Sequence, residues 1–378
     1  MHSYTLISPA AVAPRDEMDH HPRDETDHHP RDETDHQQFD PARWTARLFR
    51  DHERRHGFDG QTGETFRKWQ TAFRADLQRV LGHDAIADAG VPDPTPERTE
   101  SERCGGFERQ RWTIRTETGL RVPFYLLVPA DVEPPYPVVL VAHGHGDAGK
   151  DLVVGRADSE EHRRQIDEDE RDVAVQAVER GYAALAPDMR GLGELSNPAD
   201  EARGYRTCHT MQLHAQLFGR SLLGDRVWDV TRLVDFVERR DDFDADRIAL
   251  TGHSGGGAVA LFAAAVDDRI DVVAPSSYFC TFEASIAAVD HCECNYLPGV
   301  LELGEMWDVA GLVAPRPFVA VAGRRDQIFP VEGVERSFER LSEIYGAANA
   351  PERCELVVGE GGHRYYADGV WPFVDEHL

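Results

Sequence analysis

The residues Thr251-Gly252-His253-Ser254-Gly255-Gly256-Gly257 stand between an apolar run, Arg247-Ile248-Ala249-Leu250, and an Ala-rich run that starts at Ala258. A Gly-x-Ser-x-Gly turn between a strand-like and a helix-like segment can present a serine hydroxyl as a nucleophile. Small residues let the backbone turn sharply and hold Ser254 in a strained conformation above the strand end. A helix N-terminus then lies behind the hydroxyl. The same residues could form a Gly-rich turn with an incidental serine, but the flanks favour the nucleophile.

A serine hydroxyl needs a general base, and the base needs an orienting acid. With the serine on such a turn, the acid and then the histidine follow in chain order. Asp326, in Gly323-Arg324-Arg325-Asp326-Gln327-Ile328-Phe329-Pro330, comes directly after the apolar run 317–322 and is the expected acid. Asp290 and Asp308 are its rivals. His363, in Gly359-Glu360-Gly361-Gly362-His363, follows the last strand-like run and is the expected base, with His291 and His377 as competitors. An oxyanion hole needs two backbone N–H groups. Gly255 is expected to supply one. His145, in the His143-Gly144-His145-Gly146 loop, is expected to supply the other, although its side chain could instead wall a pocket. His143 reads as a scaffold residue.

The elements that must position these residues follow a repeating order. Segments 111–118 and 121–128 alternate and read as a hairpin. Runs at 137–142, 182–186, 247–250, 271–275, 317–322 and 353–358 read as strands, the first two buried on both faces. Helical patterns at 169–180, near 240, after Ser254, at 331–345 and at 368–378 alternate with them. The fold class is therefore α/β: a doubly wound, mostly parallel sheet with an antiparallel edge from the hairpin. Asp40-Pro41 reads as a helix start, and Trp44, Leu48, Phe49, Phe66, Trp69, Phe73, Leu77 and Leu81 continue a helical pattern to about Gly82. These helices form an N-terminal helical extension that caps or braces the sheet, and 90–105 reads as a linker. Excursions at 194–219 and 276–310 interrupt the alternation, and Met211, Leu213, Leu217 and Phe218 are expected to line or cover an acyl pocket.

Three regions result: 1–38, 39–104 and 105–378. The first contains an eight-residue repeat over 15–38, beginning Arg15-Asp-Glu-Met-Asp-His-His-Pro22. It is nearly devoid of apolar residues and reads as disordered, with metal binding through its His and Asp as the alternative. The formal net charge of the 378-residue chain is −27, and Lys68 and Lys150 are its only lysines. Such a surface repels nucleic acid and anionic membranes, so neither is an expected partner. The acid excess resembles that of proteins from salt-loving organisms; codon bias plus an acidic tail is the alternative. Six scattered cysteines do not make a disulfide scaffold, and neither a signal peptide nor a membrane span is evident, so the expected location is cytoplasmic.

The His-Gly-x-Gly loop, Asp188-x-Arg190-Gly191-x-Gly193, Gly-His-Ser-Gly-Gly, Ala314-Pro315-Arg316-Pro317 and the Asp326-x-x-Phe329-Pro330 segment together resemble the α/β-hydrolase superfamily, in its acetyl xylan esterase and dienelactone-hydrolase-like branch. The resemblance covers about 105–378. It implies an α/β-hydrolase fold and a serine carboxylesterase acting on short, acetyl-type esters, a small-molecule substrate. Dienelactone hydrolases usually carry a cysteine nucleophile, whereas Ser254 stands here. A small-peptide hydrolase of the prolyl-oligopeptidase-like type and a non-catalytic protein that binds metal through the tail are the alternatives. No cofactor or metal ligand is expected. Cys280, His291, Cys292 and Cys294 could ligate zinc but read as buried packing residues; Cys208, His209 and His214 make a weak ligand cluster. Oligomeric state is not indicated.

Overall fold

Strand β4 (Tyr136–Ala142) shows how the sheet is buried. Successive side chains of a strand point to opposite faces. Val138 and Leu140 enter one hydrophobic cluster with Phe124, Ile248, Leu250 and Val273, while Val139 and Val141 enter another with Leu127, Ala249, Val272 and Val319. Both faces are thus covered, which explains the continuous apolar runs. Each buried Val or Leu contributes roughly 1.5–3 kcal/mol.

The computed structural model describes residues 40–91 and 93–378, which fall into two units divided after Glu53. The repeat at 15–38 lies outside the described residues. In the first unit, α1 (Pro41–Asp51) starts as its sequence suggests: Pro41 opens it and the Asp40 carboxylate accepts the N–H of Ala42 at 3.0 Å.

The second unit, Arg54–Leu378, carries a nine-stranded sheet in the order β1-β2-β3-β5-β4-β6-β7-β8-β9. The hairpin is β2 (Phe107–Glu117) and β3 (Leu120–Pro129). β3 pairs antiparallel with β5 (Ala183–Pro187). From β5 onward the sheet is parallel through β4, β6 (Phe243–His253), β7 (Val272–Ser276), β8 (Phe318–Gly323) and β9 (Cys354–Gly359). The alternating pattern of strands and helices therefore gave the fold class correctly. The linker reading of 90–105 is corrected: Glu97–Cys104 is edge strand β1, paired antiparallel with β2. Seven of its eight residues are exposed, so no apolar alternation marks it, and backbone pairing alone defines the strand.

Helix α2 (Gly63–Leu81) buries Phe66, Trp69, Phe73, Leu77 and Leu81, spaced by three and four as an amphipathic stripe requires. Gln70 Nε2 donates to the carbonyls of Gly311 (3.0 Å) and Ala314 (2.7 Å), and Arg74 Nε to that of Ala265 (2.9 Å). This helix braces the sheet domain. α3 (His83–Ala89) follows it. α4 (Val173–Glu179) and α10 (Ala367–His377) cover one face of the sheet; α6 (Leu222–Glu238) and α7 (Gly255–Val266) cover the other. α5 (His209–Leu217) lies in the first excursion, α8 (Met306–Gly311) in the second, and α9 (Val331–Ala347) connects β8 to β9. Among the described residues, no helix is long and apolar enough to cross a membrane.

The register sets the carboxyl ends of the parallel strands side by side. Ala142 of β4 pairs with Gly252 of β6, His253 with Ser276 of β7, and Gly323 of β8 with Gly359 of β9. The loops carrying His145, Ser254, Asp326 and His363 therefore leave one edge of the sheet, where open α/β sheets gather ligands.

Candidate active site

Ser254 joins β6 to α7 with φ 56° and ψ −117°, a conformation that L-residues adopt only when their surroundings impose it. Two constraints are visible. The Ser254 N–H donates to the Ser276 carbonyl at 2.9 Å. Glycines supply the rest: a Cβ on Gly256 would lie 1.9 Å from the Ala142 oxygen, and one on Gly252 would lie 2.5 Å from the Gly256 backbone. Only glycine allows the turn to press against β4 this closely.

Asp326 and His363 meet at this edge. Asp326 is almost fully buried. Its Oδ1 accepts the N–H groups of Ile328 (2.8 Å) and Phe329 (3.1 Å), and its Oδ2 lies 2.8 Å from His363 Nδ1. An ionised carboxylate only accepts, so Nδ1 carries the proton and Nε2 is free to take another. The His363 ring stacks on Phe329, centroids 5.7 Å apart at 17°. The His253 ring lies 4.7 Å away, tilted by 52°. Burial, with Arg171 and His363 adding to it, holds His253 well below the usual imidazole range. It therefore stays neutral and does not repel a positive charge forming on His363.

The rival acids and bases are engaged elsewhere. Asp290 pairs with Arg206, and Asp308 accepts the N–H groups of Phe58 and Glu305 at 2.8 and 2.9 Å. His291 Nε2 bonds Ser285 Oγ at 3.1 Å, and His377 Nδ1 bonds the Phe373 carbonyl at 3.1 Å.

The loop after β4 is fixed by buried polar groups. His143 Nδ1 donates to the Gly144 carbonyl (2.8 Å) and its Nε2 accepts the Met189 N–H (3.0 Å), the part of a scaffold residue. Asp188 accepts from Lys150 Nζ at 2.8 Å, and Arg190 grips Asp229 at 2.7 and 2.6 Å. These motif residues hold the loops rather than the reacting atoms. His145 comes beside the serine turn: a Cβ on Gly255 would meet His145 Nδ1 at 2.8 Å and its backbone N at 3.8 Å. Gly255 opens α7, so its N–H belongs to the first helical turn, whose donors lack helical acceptors.

The residues expected to line or cover the acyl pocket lie largely at the surface. Leu213, Leu217 and Phe218 are exposed, at 44%, 81% and 75%. Met211, His214 and Phe218 line a surface cavity of about 500 Å³ that includes none of Ser254, Asp326 or His363. α5 turns Leu213 and Leu217 outward because its inner face is taken by Gln212 and Ala215, while Met211 packs against Cys208, Leu222, Cys292 and Cys294.

A second cluster combines cysteines from both candidate ligand groups with His145. One ligand-capable atom each from His145, Cys208, Cys292 and Cys294 lies within 4.8 Å of all the others. Cys280 is not among them; its Sγ contacts the Pro330 carbonyl at 3.7 Å. Cys292 and Cys294 carried the only local signal, a Cys-x-Cys. Their partners come from residues far away in sequence.

Comparison with known proteins agrees with this architecture. The chain is 28% identical over 301 residues to "Putative hydrolase YtaP" of Bacillus subtilis (strain 168), covering 77% of this chain and 92% of that one. Its fold is similar to that of a "putative acetyl xylan esterase" from Bacteroides fragilis NCTC 9343, with TM-score 0.72, 18% identity, and 85% and 82% of the two chains covered. A glucuronoyl esterase from Solibacter usitatus is also similar, with TM-score 0.59, 16% identity, and 85% and 94% covered. The family model described as Abhydrolase family matches residues 44–361, so the helices before the sheet, which the sequence reading set outside the resemblance, lie within the family's span. The chain has the α/β-hydrolase fold and belongs to the Abhydrolase family of hydrolases.

Proposed function

We propose that the protein is a serine carboxylesterase acting on short-chain, acetyl-type esters, with Ser254 as nucleophile, His363 as base and Asp326 as the acid that orients it. The observation that carries this reading is the 2.8 Å contact from Asp326 to His363 Nδ1 at the edge where Ser254 is held at positive φ. Ser254 Oγ attacks the ester carbonyl while His363 Nε2 takes its proton. The N–H groups of Gly255 and His145 stabilise the oxyanion. His363 then protonates the leaving alcohol, and water, activated by the same nitrogen, releases the acid from the acyl-enzyme. Asp326 holds the ring in place and stabilises the imidazolium.

The esterases with a similar fold support ester rather than amide cleavage as the first activity to measure. The substrate is a small-molecule or carbohydrate ester. Paired assays on p-nitrophenyl acetate and on peptidyl-nitroanilides test this reading. Turnover of the ester, lost in Ser254→Ala, is expected; peptide turnover without esterase activity would overturn it in favour of a peptidase. The acidic surface supports solubility in salt, and a cytoplasmic location is the accompanying proposal.

A further inference from the structure

We propose that His145, Cys208, Cys292 and Cys294 form a closed, tetrahedral zinc site that fastens the loop after β4 to both excursions. The donor set is the first argument. Three thiolates and one imidazole are a standard structural zinc set, and four protein ligands leave no position open for water. The spacing is the second. Zinc–sulfur and zinc–nitrogen bonds of about 2.3 and 2.0–2.1 Å place tetrahedral ligand atoms roughly 3.5–3.8 Å apart. His145 Nε2 lies 3.2 Å from Cys294 Sγ and 3.9 Å from Cys208 Sγ, and the Cys292 and Cys294 sulfurs are 3.4 Å apart. The Cys208 and Cys292 sulfurs are closer, at 2.7 Å.

Charge is the third argument, and it separates a metal site from plain packing. Arg226, on α6, is 2% exposed. Its Nε and Nη2 donate to the Arg190 carbonyl at 2.9 and 2.7 Å, and its Nη1 points at Cys294 Sγ at 3.2 Å. Among the described residues, no carboxylate forms an ion pair with it. A buried guanidinium needs an anion nearby. Neutral thiols packed as small hydrophobes would leave it uncompensated. Three thiolates around a divalent cation carry one net negative charge, which Arg226 balances.

The ligands come from three places: the loop after β4, the first excursion and the second. A metal here would hold His145 through Nε2 while its backbone N–H stays beside Gly255. That consequence for catalysis rests on the proposed oxyanion hole; the site itself does not.

The test uses full-length protein purified from zinc-supplemented medium without chelator. Elemental analysis should find about one zinc per chain. Replacement by Co²⁺ should give a thiolate-to-cobalt charge-transfer band and tetrahedral d–d bands. The His-rich repeat at 15–38 contains no cysteine and cannot produce that band. Cys294→Ser and Cys208→Ser should lose it, and Cys280→Ser should keep it. If Cys294→Ser fails to fold, Cys294→His keeps four ligands and should still bind Co²⁺, with a weaker charge-transfer band. Metal-free protein that takes up no Co²⁺ and titrates six thiols after unfolding would overturn the proposal in favour of packing. Metal-free protein with two thiols fewer would overturn it in favour of a Cys208–Cys292 disulfide. Ser254→Ala should retain the metal while losing hydrolysis, so the two readings fail separately.

Discussion

The two clusters at the carboxyl edge of the sheet are built in opposite ways. Ser254, Asp326 and His363 each follow a parallel strand within a few residues, and several glycines surround the first and the last of them. Neighbouring strands in register then bring the loops together. His145, Cys208, Cys292 and Cys294 share one loop and two excursions, and only the tertiary fold makes them neighbours. A strand-end site depends on backbone register, whereas a cluster in excursions needs something to tie its parts together. The proposed metal would be that tie, and it would couple the second region to the first through His145.

The comparison breaks most sharply at Ser254, the proposed nucleophile. Ser254→Ala should lower kcat/KM for p-nitrophenyl acetate by about four orders of magnitude or more while leaving the metal content unchanged. Asp326→Asn keeps the shape but leaves His363 with the wrong proton arrangement; about a 10⁴-fold loss in kcat is expected, with KM nearly constant. In the second region Arg226→Met should remove the balancing charge. Metal affinity, read by competition with a chelator, should fall about 10–100-fold, since partners of metal ligands have effects of that size.

A position outside both regions gives a reference for acid stability. His83 packs on Trp228, its Nε2 has no hydrogen-bond partner among the described residues, and burial lowers its pKa to about 4. The unfolded chain takes up this proton near 6.5, before the folded one does, so stability falls as pH drops from 7 toward 4. Between pH 7 and 5 this costs about 2 kcal/mol. In His83→Phe, urea unfolding at the two pH values should show that much less acid destabilisation. The smallest effect expected is that of salt. With a net charge of −27, screening should raise the melting temperature by a few degrees between low and molar salt, without changing the relative effects of the two clusters' variants.

Much of the first region was legible in the sequence because each residue carried its own local context. Gly252 and Gly256 flank Ser254 for a reason the structure makes plain, since no side chain fits against β4 there. Phe329 and Pro330 follow Asp326, and Phe329 proves to be the ring on which His363 stacks. The second region had little such context. Cys292 and Cys294 were visible as a pair, but His291 was grouped with them and Cys280 added, because proximity in sequence was the only guide. In the fold His291 turns to Ser285, and Cys208, in the other excursion, takes the place beside Cys292. Edge strand β1 was missed for a related reason: its exposed polar residues contribute no pattern, and its partner β2 supplies the structure. The exposure of Leu217 and Phe218 could not be read from their apolar character, which suits a lining as well as a surface.

The central claim is that Ser254 is the nucleophile. Incubation with a fluorophosphonate, followed by peptide mass spectrometry, tests it directly. The account predicts about one adduct per chain, on the Ser254 peptide, with loss of esterase activity in step with labelling and no adduct in Ser254→Ala. An active esterase that is not labelled, or one labelled at another residue with Ser254 unmodified, would contradict it.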